Sequence, residues 1–330
     1  MHLLKKIAVI FLWNALLLST AQAINAKATP QIIGWVPPYG IDASTTALNT
    51  NPKIGQSLTR IGLQFWNPGA DGRSVVFAPI DQTGKQVDAQ SVIQLRDWAK
   101  ARKIQVLLTV YNNSQVIGKW DWPLAKRAFK DNRTAFITAL VAEMERYKLD
   151  GIDLDLEGEG NFDEDHVAYA AFVKALSKVV HAKGKILTID SFHSPCANAP
   201  NMRWWADWKG QIEEIHSMGY QDLYEASTDT FTPNGQAICE GGAHIFKYSW
   251  QLQYAMKAGF RKNQILMGMP TWLDKWGKKD EETDPVSHVR EIQALGVGFA
   301  LWDLQLPSPA WRSDATWDAI RVTRDKPLAK

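Results

Sequence analysis

The feature that most limits how this chain can fold is a repeated alternation. Short apolar, β-like runs recur at 32–36, 60–66, 104–111, 151–157, 185–191, 214–220, 264–270 and 296–303. Most are rich in Ile, Leu or Val and end near Gly, Pro, Asn or Asp, as strands do. Helical patterns lie between them, at about 91–102, 132–148, 164–183, 243–258 and 285–295. In the second, Phe136, Leu140, Val141, Met144 and Tyr147 share one helical face; in the third, Ala168, Phe172, Ala175, Leu176 and Val179 do the same. Asp163 is placed to cap the third helix and Gly184 to end it. Asp284-Pro285 reads as a helix start. Eight strands alternating with helices predict an α/β fold, a single-domain (β/α)8 barrel of the usual size of about 250 residues. An open doubly wound sheet competes, but it should offer a Gly-rich nucleotide turn after an early strand. Pro37-Pro38-Tyr39-Gly40 is no such turn.

Composition narrows the partners. Among 330 residues, 37 basic and 35 acidic side chains nearly cancel, which gives a nucleic-acid partner no electrostatic support. Two cysteines are too few for a disulfide scaffold, so an apolar core must hold the fold. Fifteen tryptophans are many; flat indole faces suit sugar rings as well as core packing. At the N-terminus Lys5 and Lys6 precede an apolar run from Ile7 to about Leu18, and Ala21-Gln22-Ala23 fits a small-x-small cleavage site. The reading is a secretory signal peptide over 1–23 and a catalytic-size domain over 24–330, with Ala26-Lys27-Ala28 as a second cut and an uncleaved anchor as the alternative. The mature chain is then expected in the periplasm or medium, off the membrane and monomeric. Export would permit a Cys196–Cys239 disulfide; two buried thiols are the other possibility.

One predicted strand carries chemistry. In Asp150-Gly151-Ile152-Asp153-Leu154-Asp155-Leu156-Glu157-Gly158, side chains alternate faces, so Ile152, Leu154 and Leu156 point one way and Asp153, Asp155 and Glu157 the other. In a barrel the acids would rise through the interior toward the C-terminal rim, where barrel active sites lie. Same-face neighbours stand about 6.6 Å apart along a strand. Burial and mutual repulsion then raise at least one carboxyl pKa, which is how a glutamic acid keeps a proton for general acid work. Rival readings are a solvated acidic edge, a calcium loop with Asp153, Asp155, Glu157, Gly158 and Glu164 at EF-hand-like positions, and a sugar-binding barrel without catalysis. The histidines show no metal-ligand spacing, and neither metal nor cofactor is expected.

The strand resembles the DGxDxDxE signature of family-18 glycoside hydrolases, the chitinase and endo-β-N-acetylglucosaminidase family. Ser217-Met218-Gly219-Tyr220 is similar to that family's sixth-strand Met-x-Tyr, Leu266-Met267-Gly268-Met269-Pro270 to its seventh-strand Gly-x-Pro, and Phe299-Ala300-Leu301-Trp302-Asp303 to its eighth strand. The resemblance implies a retaining hydrolase of N-acetylglucosamine-containing polysaccharide or oligosaccharide, in which the substrate's own acetamido group is the nucleophile. Glu157 is then the acid/base. Asp155 orients the acetamide, Asp153 shares a proton with Asp155, and Tyr220 binds the acetamide carbonyl. Trp302 is the sugar floor, and Met218 and Gln221 are expected to face substrate. Trp35, Trp66 and Trp272, near predicted strand ends, are candidates for stacking on sugar; Trp120 and Trp122 are weaker ones. Many members carry Asp where this chain has Gln221. Too few residues separate the seventh and eighth strands for a large inserted domain, which implies a shallow, open groove.

Overall fold

The computed structural model describes residues 29–78, 87–114, 119–192, 198–219, 248–271 and 285–325. Eight parallel strands form its centre: β1 (Ile32–Val36), β2 (Arg60–Pro68), β3 (Gln105–Tyr111), β4 (Gly151–Asp155), β5 (Ile186–Ser191), β6 (Glu214–Ser217), β7 (Ile265–Pro270) and β8 (Gly298–Trp302). Each pairs with its successor, and β8 pairs with β1 through Ile32 opposite Phe299, so the sheet closes into a barrel. Nine helices surround it among the described residues: α1 (Ile41–Thr50), α2 (Pro52–Ser57), α3 (Ala89–Lys100), α4 (Trp122–Lys126), α5 (Arg133–Arg146), α6 (His166–Ala182), α7 (Tyr248–Lys257), α8 (Pro285–Leu295) and α9 (Asp314–Asp325). No described helix is long and apolar enough to cross a membrane. The chain is a single-domain (β/α)8 barrel, and residues 271–297, which include α8, separate β7 from β8.

Two apolar layers result from strand alternation. Outward residues such as Ile61, Leu63, Leu108, Val110, Ile152, Leu154, Leu187 and Ile189 pack under the helices in one large core. Inward, Ile33, Trp35, Leu107, Leu266 and Ala300 form a small separate cluster. Many other inward positions are polar, among them Gln64, Thr109, Asp153, Asp155, Thr188, Asp190 and His216, and buried polar groups need internal partners to be stable. At one such place Arg60 on β2 forms a buried ion pair with Glu214 on β6 across the lumen.

One local expectation changes. Asp163 does not cap α6: residues Asp163–Asp165 form a 3-10 turn before the helix, and the Asp163 carboxylate pairs with Arg203. The Asp165 carboxylate, fully buried, instead accepts from Trp122 Nε1 at 3.0 Å and meets Lys126 and Lys130. Gly184 does end the helix, at φ +65°, a backbone state that glycine adopts without a Cβ clash. The start at Asp284 lies outside the described residues, although α8 begins at Pro285.

Candidate active site

The fourth strand sends its acids inward as alternation requires. Register sets Thr109, Asp153 and Thr188 side by side on β3, β4 and β5. Asp153 is 0%, Asp155 3% and Glu157 7% exposed, which removes the reading of a solvated acidic edge. The calcium-loop reading fails too. Asp153 and Asp155 lie in a strand, and Glu164, which would close the loop, is on the surface.

Asp153 sits deepest and is saturated with donors. Trp35 Nε1 donates to its Oδ2 at 2.8 Å, Thr109 Oγ1 to the same oxygen at 2.9 Å, and Thr188 Oγ1 to Oδ1 at 2.5 Å. Burial alone would raise its pKa. His216 beside it, by hydrogen bond and charge, together with the Thr188 and Trp35 donors, holds it below the ordinary carboxylate range. Gly62 permits this arrangement: a Cβ there would lie 2.4 Å from Trp35 Cδ1, so any side chain would push the indole off Asp153.

Asp155 and Glu157 share a hydrogen bond. Burial pushes Asp155 up to about 6, aided by the Asp153 charge and opposed by hydrogen bonds from Glu157 and Gln64. Glu157 is pushed well above the usual range, first by burial and then by the Asp155 charge. The pair therefore holds an ionised carboxylate beside a protonated acid near neutral pH, the separation of roles that general acid chemistry needs.

Several residues here carried no sequence signal of their own. Gln64 Nε2 donates to Asp155 Oδ2 at 2.6 Å. Strict alternation from Gly62 does place Gln64 inward, but a neutral amide in a run of apolar residues does not stand out. Asn112, just after β3, clamps the backbone of Glu157: its Nδ2 donates to Glu157 O at 2.7 Å, and Glu157 N donates to its Oδ1 at 2.7 Å. The side chain thus acts as one more strand rung where β4 has ended. Replacing Asn112 by Ala should free this turn. A misplacement of about 1 Å can cost about 100-fold in rate, so kcat is expected to fall by about that much, with KM little changed. A variant with unchanged kcat would show that the clamp does not position Glu157. Asp190 and His216, on β5 and β6, complete the polar interior, with His216 Nδ1 2.7 Å from Asp190 Oδ1 and 3.4 Å from Asp153 Oδ1.

These last three groups lie within 4.8 Å of one another, close enough to suggest a metal. The 2.7 Å contact is instead a direct hydrogen bond. Ligands about 2.0–2.1 Å from one ion are ordinarily held farther apart than that.

The aromatic expectations divide. Trp302 is half-buried at the end of β8, 6.0 Å from Trp35. Trp120 lies edge-on to Tyr111 in the loop after β3. Trp35 is not at the rim: it is 4% exposed inside the barrel, its donor committed to Asp153. Trp66 faces away from the lumen, packed on Phe77 and Tyr147 with its Nε1 donating to Glu143 on α5 at 3.2 Å. The reason is a register irregularity in β2 between Leu63 and Trp66, which turns both Phe65 and Trp66 outward. Trp122 is likewise buried outside the barrel, stacked on Phe162 and Tyr169. Trp204, Trp205 and Trp208 are core residues. Met218, half-buried, follows β6 and donates its N–H to Ser191 O at 2.9 Å. Tyr220, Gln221, Trp272, Cys196 and Cys239 lie outside the described residues.

Known proteins resemble this chain in sequence and in fold. An uncharacterized glycosylase of Bacillus subtilis (strain 168), YvbX, is 27% identical over 202 residues, 60% of this chain and 56% of that protein. The match thus spans little more than half the length of that relative. The crystal structure of a chitinase from Chromobacterium violaceum ATCC 12472 superposes with a TM-score of 0.64 at 16% identity, covering 90% of this chain and 99% of that one. The Bacillus cereus spore cortex-lytic enzyme SleL superposes with a TM-score of 0.63, also at 16% identity, covering 91% and 75%. At such identity these likenesses carry the fold alone. The model of the glycosyl hydrolases family 18, however, matches residues 45–322. With that match running from α1 into α9 and through the acid-bearing β4, the chain belongs to glycosyl hydrolase family 18.

Proposed function

We propose that this glycoside hydrolase is a retaining enzyme that cuts β-1,4 bonds after N-acetylglucosamine, in chitin or chitooligosaccharides, by substrate-assisted catalysis. The observation that carries the reading is the burial of Asp155 and Glu157 side by side, where burial and the Asp155 charge favour a proton on Glu157. Glu157 gives that proton to the glycosidic oxygen as the bond to the anomeric carbon breaks. The acetamido carbonyl oxygen of the same sugar attacks that carbon, forming an oxazolinium ion. Asp155 accepts the acetamido N–H, orients the group and offsets the positive charge. Holding a nucleophile in line replaces a costly encounter, and the effect on rate is large. Glu157, now a base, takes a proton from water, which opens the ring with overall retention. Tyr220 is assigned the acetamido carbonyl, and Trp302 the floor under the sugar ring. The short β7–β8 connection favours an open groove and internal cuts. The Lys5–Ala23 pattern favours an exported enzyme, which suits an insoluble polymer.

Ionisation sets the expected pH profile. Asp155 must be charged, so kcat/KM should fall as pH drops through about 6. Glu157 must be protonated, so activity should fall again at alkaline pH. Rates on a fluorogenic chitobioside from pH 4 to 10 test this; a flat profile across pH 5–7 contradicts the role given to Asp155. Product analysis on chitin, peptidoglycan and an N-glycosylated protein side by side tests the substrate. Soluble chitooligosaccharides from chitin support the proposal. Release only of glycans or of muropeptide fragments would move the enzyme to that polymer, and binding without any turnover would make it a lectin.

A further inference from the structure

Outside the Asp155–Glu157 pair, the barrel holds a second set of buried ionisable groups that the proposed chemistry leaves without a task. His216 is 1% exposed and Asp190 3%. A buried histidine is commonly a neutral core residue, with one ring nitrogen donating and the other accepting. The surroundings of His216 favour a charged ring instead, against the burial and the Asp153 charge that push the Asp190 carboxyl well above its ordinary range. Nδ1 faces two carboxylate oxygens, Asp190 Oδ1 at 2.7 Å and Asp153 Oδ1 at 3.4 Å. Nε2, which makes no hydrogen bond, faces a third, Glu214 Oε2 at 3.6 Å. A lone pair on Nε2 would point at a carboxylate, whereas an N–H there is attracted to it. Both nitrogens therefore call for a proton. On the other sides, β1 contributes only the edge of Trp35, at 5.2 Å between ring centroids. From β2, Arg60 reaches the region through its pair with Glu214, and from β4 the Asp155 charge is felt beyond Asp153.

We infer that His216, held by Asp190, is a positioning residue: a fixed imidazolium that keeps Asp153 ionised, so that the proton used in catalysis resides on Glu157 above it and not on Asp153 below. This rests on the proposed function for its consequence but not for its geometry. The groups form a line from Asp190 through His216 and Asp153 to Asp155 and Glu157. One cation cannot neutralise every acid in that line. Asp153 has three neutral donors besides His216, so it is the member best suited to carry the charge. Its negative charge then disfavours a second one on Asp155, and Asp155 in turn disfavours one on Glu157. His216 itself is raised to about 9: its burial works against the charge, and the hydrogen bonds and charges of Asp153 and Asp190 outweigh it.

The direction of change follows. In His216→Gln the cation is gone, and Asp153 takes up a proton. Asp155 loses the nearer negative charge and the more distant positive one, so it ionises more easily. The acid limb of kcat/KM on a fluorogenic chitobioside should move down by about 1 pH unit, with a smaller move in Asp190→Asn, where His216 keeps Asp153. A His216→Gln limb coincident with that of the wild type would overturn the inference. A second measurement needs no substrate and no variant activity. In wild-type protein labelled with 15N-histidine, the ring nitrogens of His216 should both carry protons at pH 7.5 and titrate near pH 9; the resonances are assigned by their loss in His216→Gln, or in Asp190→Asn by their shift. One unprotonated ring nitrogen at pH 7.5 would overturn the inference as surely. Absence of turnover in the wild type would instead strike the proposed function, leaving the nitrogen spectrum to decide this one.

Discussion

Replacing Glu157 by Gln is expected to lower kcat on a fluorogenic chitobioside by about 10²–10⁴-fold, the usual contribution of a positioned acid, with KM little changed. The amide has the shape of the protonated acid, so it can still hydrogen-bond Asp155, but it has no proton to give. Stability should move the other way. The unfolded chain ionises this carboxyl near 4.5, while the folded chain keeps it protonated to well above that value. The wild type therefore loses stability as pH climbs above 4.5, because the unfolded state gives up a proton that the native state retains. Glu157→Gln is free of this penalty. Urea unfolding should find the two proteins alike below pH 4.5 and the variant more stable at neutral pH. A variant that is both fully active and no more stable at pH 7 would mean that Glu157 is an ordinary ionised side chain.

The second large effect is structural. Arg60 and Glu214 are 7% and 3% exposed and meet inside the barrel, with Arg60 Nε also donating to Gln105 Oε1 at 2.9 Å. Burial lowers the Arg60 pKa to about 10, against the nearby acids, which marks a site where solvent gives the charge little help. Removing one partner strands the other in low dielectric. Arg60→Met should cost about 3–5 kcal/mol, read as a drop in the urea midpoint at unchanged slope. The double variant Arg60→Met/Glu214→Met should recover part of that loss, since the pair's own charges are both gone, while His216 Nε2 loses the Glu214 carboxylate that faces it at 3.6 Å. A single variant costing under about 1 kcal/mol, the value of a surface pair, would show that water reaches this part of the lumen.

Much of the fold is legible in the sequence because a parallel barrel buries the outward face of every strand. Ile61 and Leu63, Leu108 and Val110, Ile152 and Leu154, and Leu187 and Ile189 alternate with smaller or polar residues, and the observed strands begin or end within a few residues of the expected limits. The two helices after β1 are hidden, because Ile41–Thr50 is rich in Thr, Ser and Asn and buries only Ile41, Ser44 and Leu48. The last helix, Asp314–Asp325, shows its face in Thr316, Trp317, Ile320 and Thr323, but two threonines blunt an apolar stripe.

The site divides along similar lines. Asp153, Asp155 and Glu157 are visible because they alternate with apolar residues in one short segment, β4 and the two residues after it. Gln64, Asn112, Asp190 and His216 each come from a different segment and meet only once the barrel closes. Trp66 misleads for a local reason: an irregularity in β2 breaks the period of two, and nothing in Gln64-Phe65-Trp66 announces it. Trp35 misleads by depth, since Gly62 on the neighbouring strand opens the space that its ring fills.

The most direct test of the account is the charge of Glu157 in the resting enzyme. Protein labelled with 13C at the glutamate side-chain carboxyl should show, at pH 7, one resonance at the position of a neutral acid, absent from Glu157→Gln. If that resonance instead has the shift of an ionised carboxylate at pH 7, the proton donor proposed for the reaction is not there.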